Sequence, residues 1–532
     1  MPQALAPRLA PSATRRSSDR HPSSGGAELP AWRGPALANA AVALIVLLVA
    51  APATAQTMTP ERALRQAATR NPTLRAAILD TSAARAAVRA AQNARRPSLV
   101  AGVDAQLAEG FSATSAGVAR NVDRRASGSV GLRYTTDWGT SVQIDAGTGL
   151  VLRDVLIDPS STDTASIRPT FSSDLSVSAR QPLLRGAGSD VVLAEIEEAR
   201  ASRTQSEHQR DQAASELALD VLTAYWELWY AEQALAVQVA SEQLTRRQLS
   251  EARLRAEQLG TTAQIDTLRF ESELASIRES LEGARSDRDT RATELGRLLA
   301  MDPATSDALR AAAAAPTPHA LPPLAELLRS ARTSSSELRA LEAQIAATRI
   351  RLRSAEDARQ LRLDLTGSLT AAGLWTDDSL PGLQLPDNRP AFGVMIGLEL
   401  ELPLGESRET ANAIRARTQL EASLERYEAR VDALESQVAT LRRRIQAATR
   451  RVELATESVS LSQRLAEGER QRLSLGTGTP WEVVQAQQAA RQSELRRLRV
   501  VVDLVNSEHQ LDHVTGRLLG RVAFPSSSEE SS

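Results

Sequence analysis

Cysteine and lysine are both missing from the 532 residues, and aromatic side chains make up only 3%. Without thiols there is no disulfide framework, no thiolate metal site and no lipid-anchored N-terminal cysteine. Without lysine every basic group is an arginine, and 63 of these against 65 acidic residues leave a net charge of −2. No overall field therefore draws the chain to nucleic acid. A phosphate loop, a nucleophile elbow and an H-E-x-x-H pair are also absent from the sequence, so nothing in it supports an enzyme, a catalytic residue or a cofactor.

What is present is helix-forming. Apolar residues reach 42%, supplied by alanine and leucine, and with arginine, glutamate and glutamine they compose long helices and coiled coils. At the N-terminus a Pro/Ser/Arg-rich leader precedes the apolar run Leu37 to Ala51 and the small residues Ala53-Thr54-Ala55. The run falls short of the ~20 residues a membrane-spanning helix needs. The segment reads as a secretory signal cleaved near Gln56 rather than an anchor. No later apolar run reaches spanning length, so the mature chain is either soluble in the periplasm or enters a membrane as β-strands.

Helical pattern begins near Thr59, breaks at Asn71-Pro72 because the residue before proline avoids the α region, and resumes to Arg95. The period then changes to two. Runs at 98–108, 127–137, 140–152 and 172–181 alternate apolar and polar residues, as Ser141-Val142-Gln143-Ile144-Asp145-Ala146 does. Such strands suit a wall with one apolar and one wet side. Gln181-Pro182-Leu183-Leu184-Arg185-Gly186 closes this region. Helix pattern then runs from about Val191 to Leu259, on the order of 100 Å at ~1.5 Å per residue. Leu217, Val221, Ala224, Leu228, Ala231 and Leu235 form part of its seam. A return helix reaches about Ala300, and residues 303–323 are a Pro/Ala-rich linker.

The chain then begins again. Ser335 to Ala340 corresponds to Asn71 to Ala76, strand-like 361–374 and 392–402 follow, and Leu402-Pro403-Leu404-Gly405 opens a second long helix. Its apolar seam from Leu424 through Leu434, Val438, Leu441 and Ile445 to Val459 keeps alternating steps of three and four, the heptad of a coiled coil. A second return helix runs from Pro480 to about Leu519. The turn before it, Leu475-Gly476-Thr477, matches Leu259-Gly260-Thr261, since 476 − 260 and 482 − 266 are both 216. The expected organisation is a leader and signal at 1–55, a first repeat at 56–302, the linker at 303–323, a second repeat at 324–521 and a disordered tail at 522–532.

This duplicated order of helix, strands, long helix, turn and long helix resembles the outer membrane efflux protein family, the TolC-like channel-tunnels. The resemblance covers about Thr59 to Arg521 and rests on Asn71-Pro72-Thr73-Leu74, the two strand-to-helix junctions and the two Leu-Gly-Thr turns. It implies a mainly helical fold with a membrane β-barrel. In that fold a homotrimer shares one transmembrane barrel in outer membrane lipid and extends a long helical tunnel into the periplasm. The family contributes two strands per repeat and twelve per trimer. The four runs in the first repeat here leave open a larger barrel or an extra hairpin outside it.

The resemblance also implies a role: an exit duct for efflux or type I secretion, working with a periplasmic adaptor (membrane fusion) protein and an inner-membrane RND, ABC or MFS transporter. The tips Leu259, Gly260, Thr261, Leu475, Gly476 and Thr477 would contact the adaptor. Glu482 falls on one of the family's two tip carboxylates and Gln485 on the other, with Asp266 the equivalent in the first repeat, so Asp266 and Glu482 are candidates for the pore constriction. The family's tyrosine and arginine latch would fall at Leu473 and Gly478, so it is missing. By sequence alone Thr479-Pro480-Trp481-Glu482 is also a helix capping box. His509 and His513 have a zinc-compatible spacing without a third ligand and read as solvent or packing residues. Tyr225, Trp226, Trp229 and Tyr230 read as a packed helix junction. The reading from a different class is a soluble periplasmic coiled-coil scaffold or adaptor.

Overall fold

Pro60 and Pro72 each stand at the first turn of a helix, where a missing N–H costs nothing. In this computed structural model, which describes residues 56–114, 117–156, 165–259, 262–316, 320–375, 391–402 and 407–522, they open α1 (Pro60–Arg70) and α2 (Pro72–Asn93). Asn71 both ends the first and caps the second, its Oδ1 accepting from the N–H of Thr73 at 2.9 Å. The expected leader and signal, Gly260 and Thr261, the loop at 376–390, the junction residues 403–405 and the residues of the tail from 523 lie outside the described set.

Four strands follow: β2 (Ser98–Thr114), β3 (Gly117–Thr135), β4 (Ser141–Leu156) and β5 (Ala165–Pro182). After the short α3 (Ser189–Val192) comes α4 (Ala194–Leu259), a single helix of 66 residues, and the return helix α5 (Thr262–Leu298). The second half runs α7 (Leu324–Ser334), α8 (Ser336–Ala358), β7 (Arg362–Trp375), β8 (Ala391–Glu401), α9 (Arg408–Ser474) and α10 (Pro480–Val514), ending in α11 (Leu518–Arg521). Each long helix outruns its return helix, and shorter helices complete the pairing. The tip half of α4 lies on α5, while its sheet-side half meets α2 through Arg85–Glu207 and α8 through Arg351–Glu198. Tyr427 and Glu342 likewise join α9 to α8. The heptad seam of α9 is therefore buried against several helices in succession, with Leu434 to Ala448 enclosed by α7, α8 and α10.

The linker is not wholly irregular. Residues 303–306 form α6 and 309–311 form β6, which pairs in parallel with β1 (Gln56–Met58). Such short strands carry no periodic signal and need a platform, which α4 provides. The Tyr225 hydroxyl donates to the Met58 carbonyl and accepts from the Ala313 N–H, each at 3.0 Å, while Trp229 Nε1 donates to the Ala313 carbonyl. Burial pushes the Tyr225 phenol up to about 12. The aromatic cluster is thus the packed junction expected of it, with Tyr225 and Trp226 edge to face.

All six long strands form one antiparallel sheet in the order β2-β3-β4-β5-β7-β8. They are longer than the alternating runs in the sequence, because Glu109, Arg120, Asp123, Arg124 and Asp154 break the alternation without breaking the ladder. The register aligns the apolar residues. Leu99, Leu132, Ile144, Val177, Leu369 and Val394 form one continuous row across six strands. The row one step along the opposite face is Ser98, Arg133, Gln143, Ser178 and Ser368, ending at Met395 of β8. Among the described residues no helix is long and apolar enough to cross a membrane.

Candidate functional site

At the turn after α9 the backbone must reverse while four carbonyls lack helical partners. Gly476 solves this at φ +75°, a conformation open to glycine. Its N–H reaches the Leu473 carbonyl at 3.1 Å and the Thr477 N–H reaches that of Arg472 at 2.9 Å, the paired bonds of a Schellman cap. A Cβ on Gly478 would lie 3.0 Å from the Leu473 nitrogen, so this place admits no arginine without shifting the turn. Leu473 itself packs inward. Both positions where the family latch would fall are thus occupied by the packing of the turn.

The next residues start α10. Thr479 Oγ1 accepts from the Glu482 N–H at 3.3 Å, and Glu482 Oε2 accepts from the Thr479 N–H at 2.8 Å. This is a complete capping box, and the Thr479 N–H and hydroxyl hold the Glu482 carboxyl below the usual glutamate range. Leu475 and Trp481 beside it are 78% and 51% exposed. Asp266 sits in the second turn of α5 and is half-buried. Leu259 is the last residue of α4.

A second device lies above the turn and joins the two hairpins. Glu273 of α5 is nearly buried and accepts from Arg491 of α10 at 3.2 Å and from the side chain of Gln488. Around it Phe270 and Leu274 pack with Val484, and closer to the tip the Arg269 guanidinium stands 6.0 Å over the Trp481 ring. These contacts bridge residues more than two hundred positions apart, and periodicity within one helix cannot reveal them. Removing one member of a buried ion pair strands the other charge, so loss of Glu273 or Arg491 alone would disturb the packing of the two hairpins more than loss of one member of an exposed pair.

His513 accepts or donates at Nδ1 to Ser215 Oγ at 2.7 Å, and burial lowers its pKa. Among the described residues no group of three or more His, Asp or Glu side chains is arranged to hold a metal.

Residues 327–517 match the outer membrane efflux protein family. No curated protein sequence matches the chain. In fold it is similar to the outer-membrane channel OprN, at 18% identity over 86% of this chain and 89% of that one, with a TM-score of 0.61. It is also similar to VceC from Vibrio cholerae, at 14% identity over 86% and 96% with a TM-score of 0.61. The open state of the Neisseria gonorrhoeae MtrE channel gives 16% identity over 86% and 89% and the same TM-score. The resemblance read from the sequence holds, and at these identities the shared feature is the fold.

Proposed function

We propose that three copies of this chain form an outer-membrane duct for efflux or type I secretion, passive in itself and energised by an adaptor and an inner-membrane RND, ABC or MFS transporter. The observation that carries this reading is the sheet. Its apolar rows, from that of Tyr134 and Val142 to that of Leu150 and Phe171, span roughly nine residues along a strand, the length of a membrane-crossing β-strand. That face is exposed, with Leu99 and Val394 more than 70% so. Open strands cannot cross lipid unless the sheet closes, and one sheet of six is too few for a wide pore, so closure by further copies follows. The helices fit the rest of the reading, with most of the mass in the periplasm: the 66 residues of α4 make a rod of about 100 Å.

Exposed leucines support neighbour contacts along that rod. Leu454, Leu461 and Leu465 line one stripe of α9, and Leu254, Ile265 and Leu268 are exposed on the other hairpin. The halves at 56–302 and 324–521 act as duplicated units joined by 303–323. The turns at 259–261 and 475–477 are the adaptor-contacting tips, and Asp266 and Glu482 charge the pore mouth. Glu482 can serve there while capping its helix, since both roles need the ionised form. The Glu273–Arg491 pair holds the two hairpins together in place of the family latch.

Fractionation of cells expressing the full chain tests the reading. The protein is expected in the outer membrane, released only by detergent and trimeric by native mass. Recovery wholly in the soluble periplasmic fraction would return it to the class of coiled-coil scaffolds.

A further inference from the structure

The family pattern of two strands per half accounts for β4, β5, β7 and β8 but not for β2 and β3. A hairpin added to such a chain could hang outside the wall. Its residues show otherwise. β3 pairs with β4 without a break from Arg120↔Leu156 to Thr135↔Ser141. At the base the connecting turn is fixed: Thr136 N–H bonds the Thr140 carbonyl at 2.8 Å, and Gly139 takes φ +93° where a Cβ would lie 2.8 Å from the Gly186 carbonyl. Arg95 locks this turn to the helices, donating to the carbonyls of Thr136 at 2.7 Å and Val192 at 2.9 Å.

The hairpin also has the sidedness of the other four strands. Leu99 and Leu132 continue the apolar row of Ile144, Val177, Leu369 and Val394, while Ser98 and Arg133 continue the polar one. A flap outside the wall would have no reason to keep one face apolar in register with it. The two outer strands, β2 and β8, contain no proline and no bulge in their ladders, and their charges are confined to Asp104 and Glu109 of β2 and Glu399 and Glu401 of β8, so two of the usual devices that stop an edge from pairing are missing.

Resting on the trimeric reading above, the geometry points to β2 of one copy pairing with β8 of the next, so that three sheets of six strands close an eighteen-stranded barrel. Barrel diameter grows roughly linearly with strand number, which makes this wall about one and a half times as wide as a twelve-stranded one. The sidedness sets a parity: even-numbered β8 residues such as Val394 and Ile396 must oppose odd-numbered β2 residues such as Ala101 and Val103. Beyond the apolar rows the ion pairs Glu109–Arg120, Arg124–Asp154 and Asp123–Arg153 carry β2, β3 and β4 onward as a charged rim.

The chain has no cysteine, so introduced pairs report cleanly. Ala101→Cys, Val103→Cys or Ala105→Cys is combined with Val394→Cys, Ile396→Cys or Leu398→Cys, and the full-length protein is oxidised in its membrane. The expected result is a covalent trimer on a non-reducing gel from at least one combination, and none when Gly102→Cys replaces the β2 member. A covalent trimer from Ile144→Cys or Leu150→Cys of β4 with the same β8 positions, and none from β2, would overturn the inference in favour of twelve strands. So would silence from every pair in a protein whose native mass is trimeric. A native mass that is not trimeric would instead overturn the parent reading.

Discussion

The seam of α9 hides its apolar side chains and the sheet displays them. Along α9, Leu434, Val438 and Ile445 are at most 2% exposed, whereas Phe392, Val394 and Ile396 of β8 are all above 70%. Both regions obey one rule, that apolar surface leaves water. The seam from Leu434 to Ala448 satisfies it within the chain, because α7, α8 and α10 cover it. The sheet does not, because among the described residues its strands pack mainly on one another and its opposite face is mostly polar; in the proposed setting lipid covers the apolar face. The difference separates what one chain buries by itself from what, on the proposed reading, lipid and further copies would cover.

The sharpest way to break this comparison is to put a charge on each face of one strand. Leu175→Arg, in the middle of the apolar rows, should cost ~2–4 kcal/mol per copy and abolish recovery of folded trimer in lipid vesicles. Ser176→Arg, one residue on and facing the polar side, should leave that recovery near wild type. Equal losses would mean that the two faces meet the same medium. Truncation sharpens it from the other region. Ile445→Ala should lower the helical unfolding free energy by ~2–5 kcal/mol, because the surrounding helices collapse only partly on the cavity. Leu369→Ala should cost less than this, since lipid chains close over the missing atoms; a larger loss there would show that the sheet face is covered by protein.

How much of this was legible follows from the same distinction. Heptads at Leu434 to Ile445 and the Asn71-Pro72 break announce helices because their signals are local. Alternation at 141–146 announces a strand with two unlike faces. The distal parts of β2 and β3 stayed hidden because Glu109, Asp123 and Arg124 interrupt the alternation while cross-strand pairing carries the ladder on. β1 and β6 are too short to have a period, and Tyr225, Trp229 and Glu232 of α4 hold them and the backbone that follows. At the tips, the capping box and the turn at Gly476 were written in adjacent residues, but the Glu273–Arg491 pair links positions 218 apart and exists only once the hairpins pack.

The smallest expected effects lie at the tip. Glu482 has its folded pKa below the ordinary glutamate value, so its cap contributes fully above that value and is lost as pH falls through the lowered one. Amide protection at the start of α10 should weaken on that descent, and Glu482→Gln should remove the acid dependence. Combined with Asp266→Asn, it should reduce cation preference in a planar bilayer; unchanged selectivity would take both residues out of the pore mouth.

If the exposed sheet and the helical rods belong to one duct, the assembled protein conducts ions. Purified full-length trimer added to a planar lipid bilayer should produce discrete, long-lived conductance steps that the Leu175→Arg protein does not give. A folded, trimeric wild-type protein that gives no conducting steps would mean that the sheet and the rods do not form a duct.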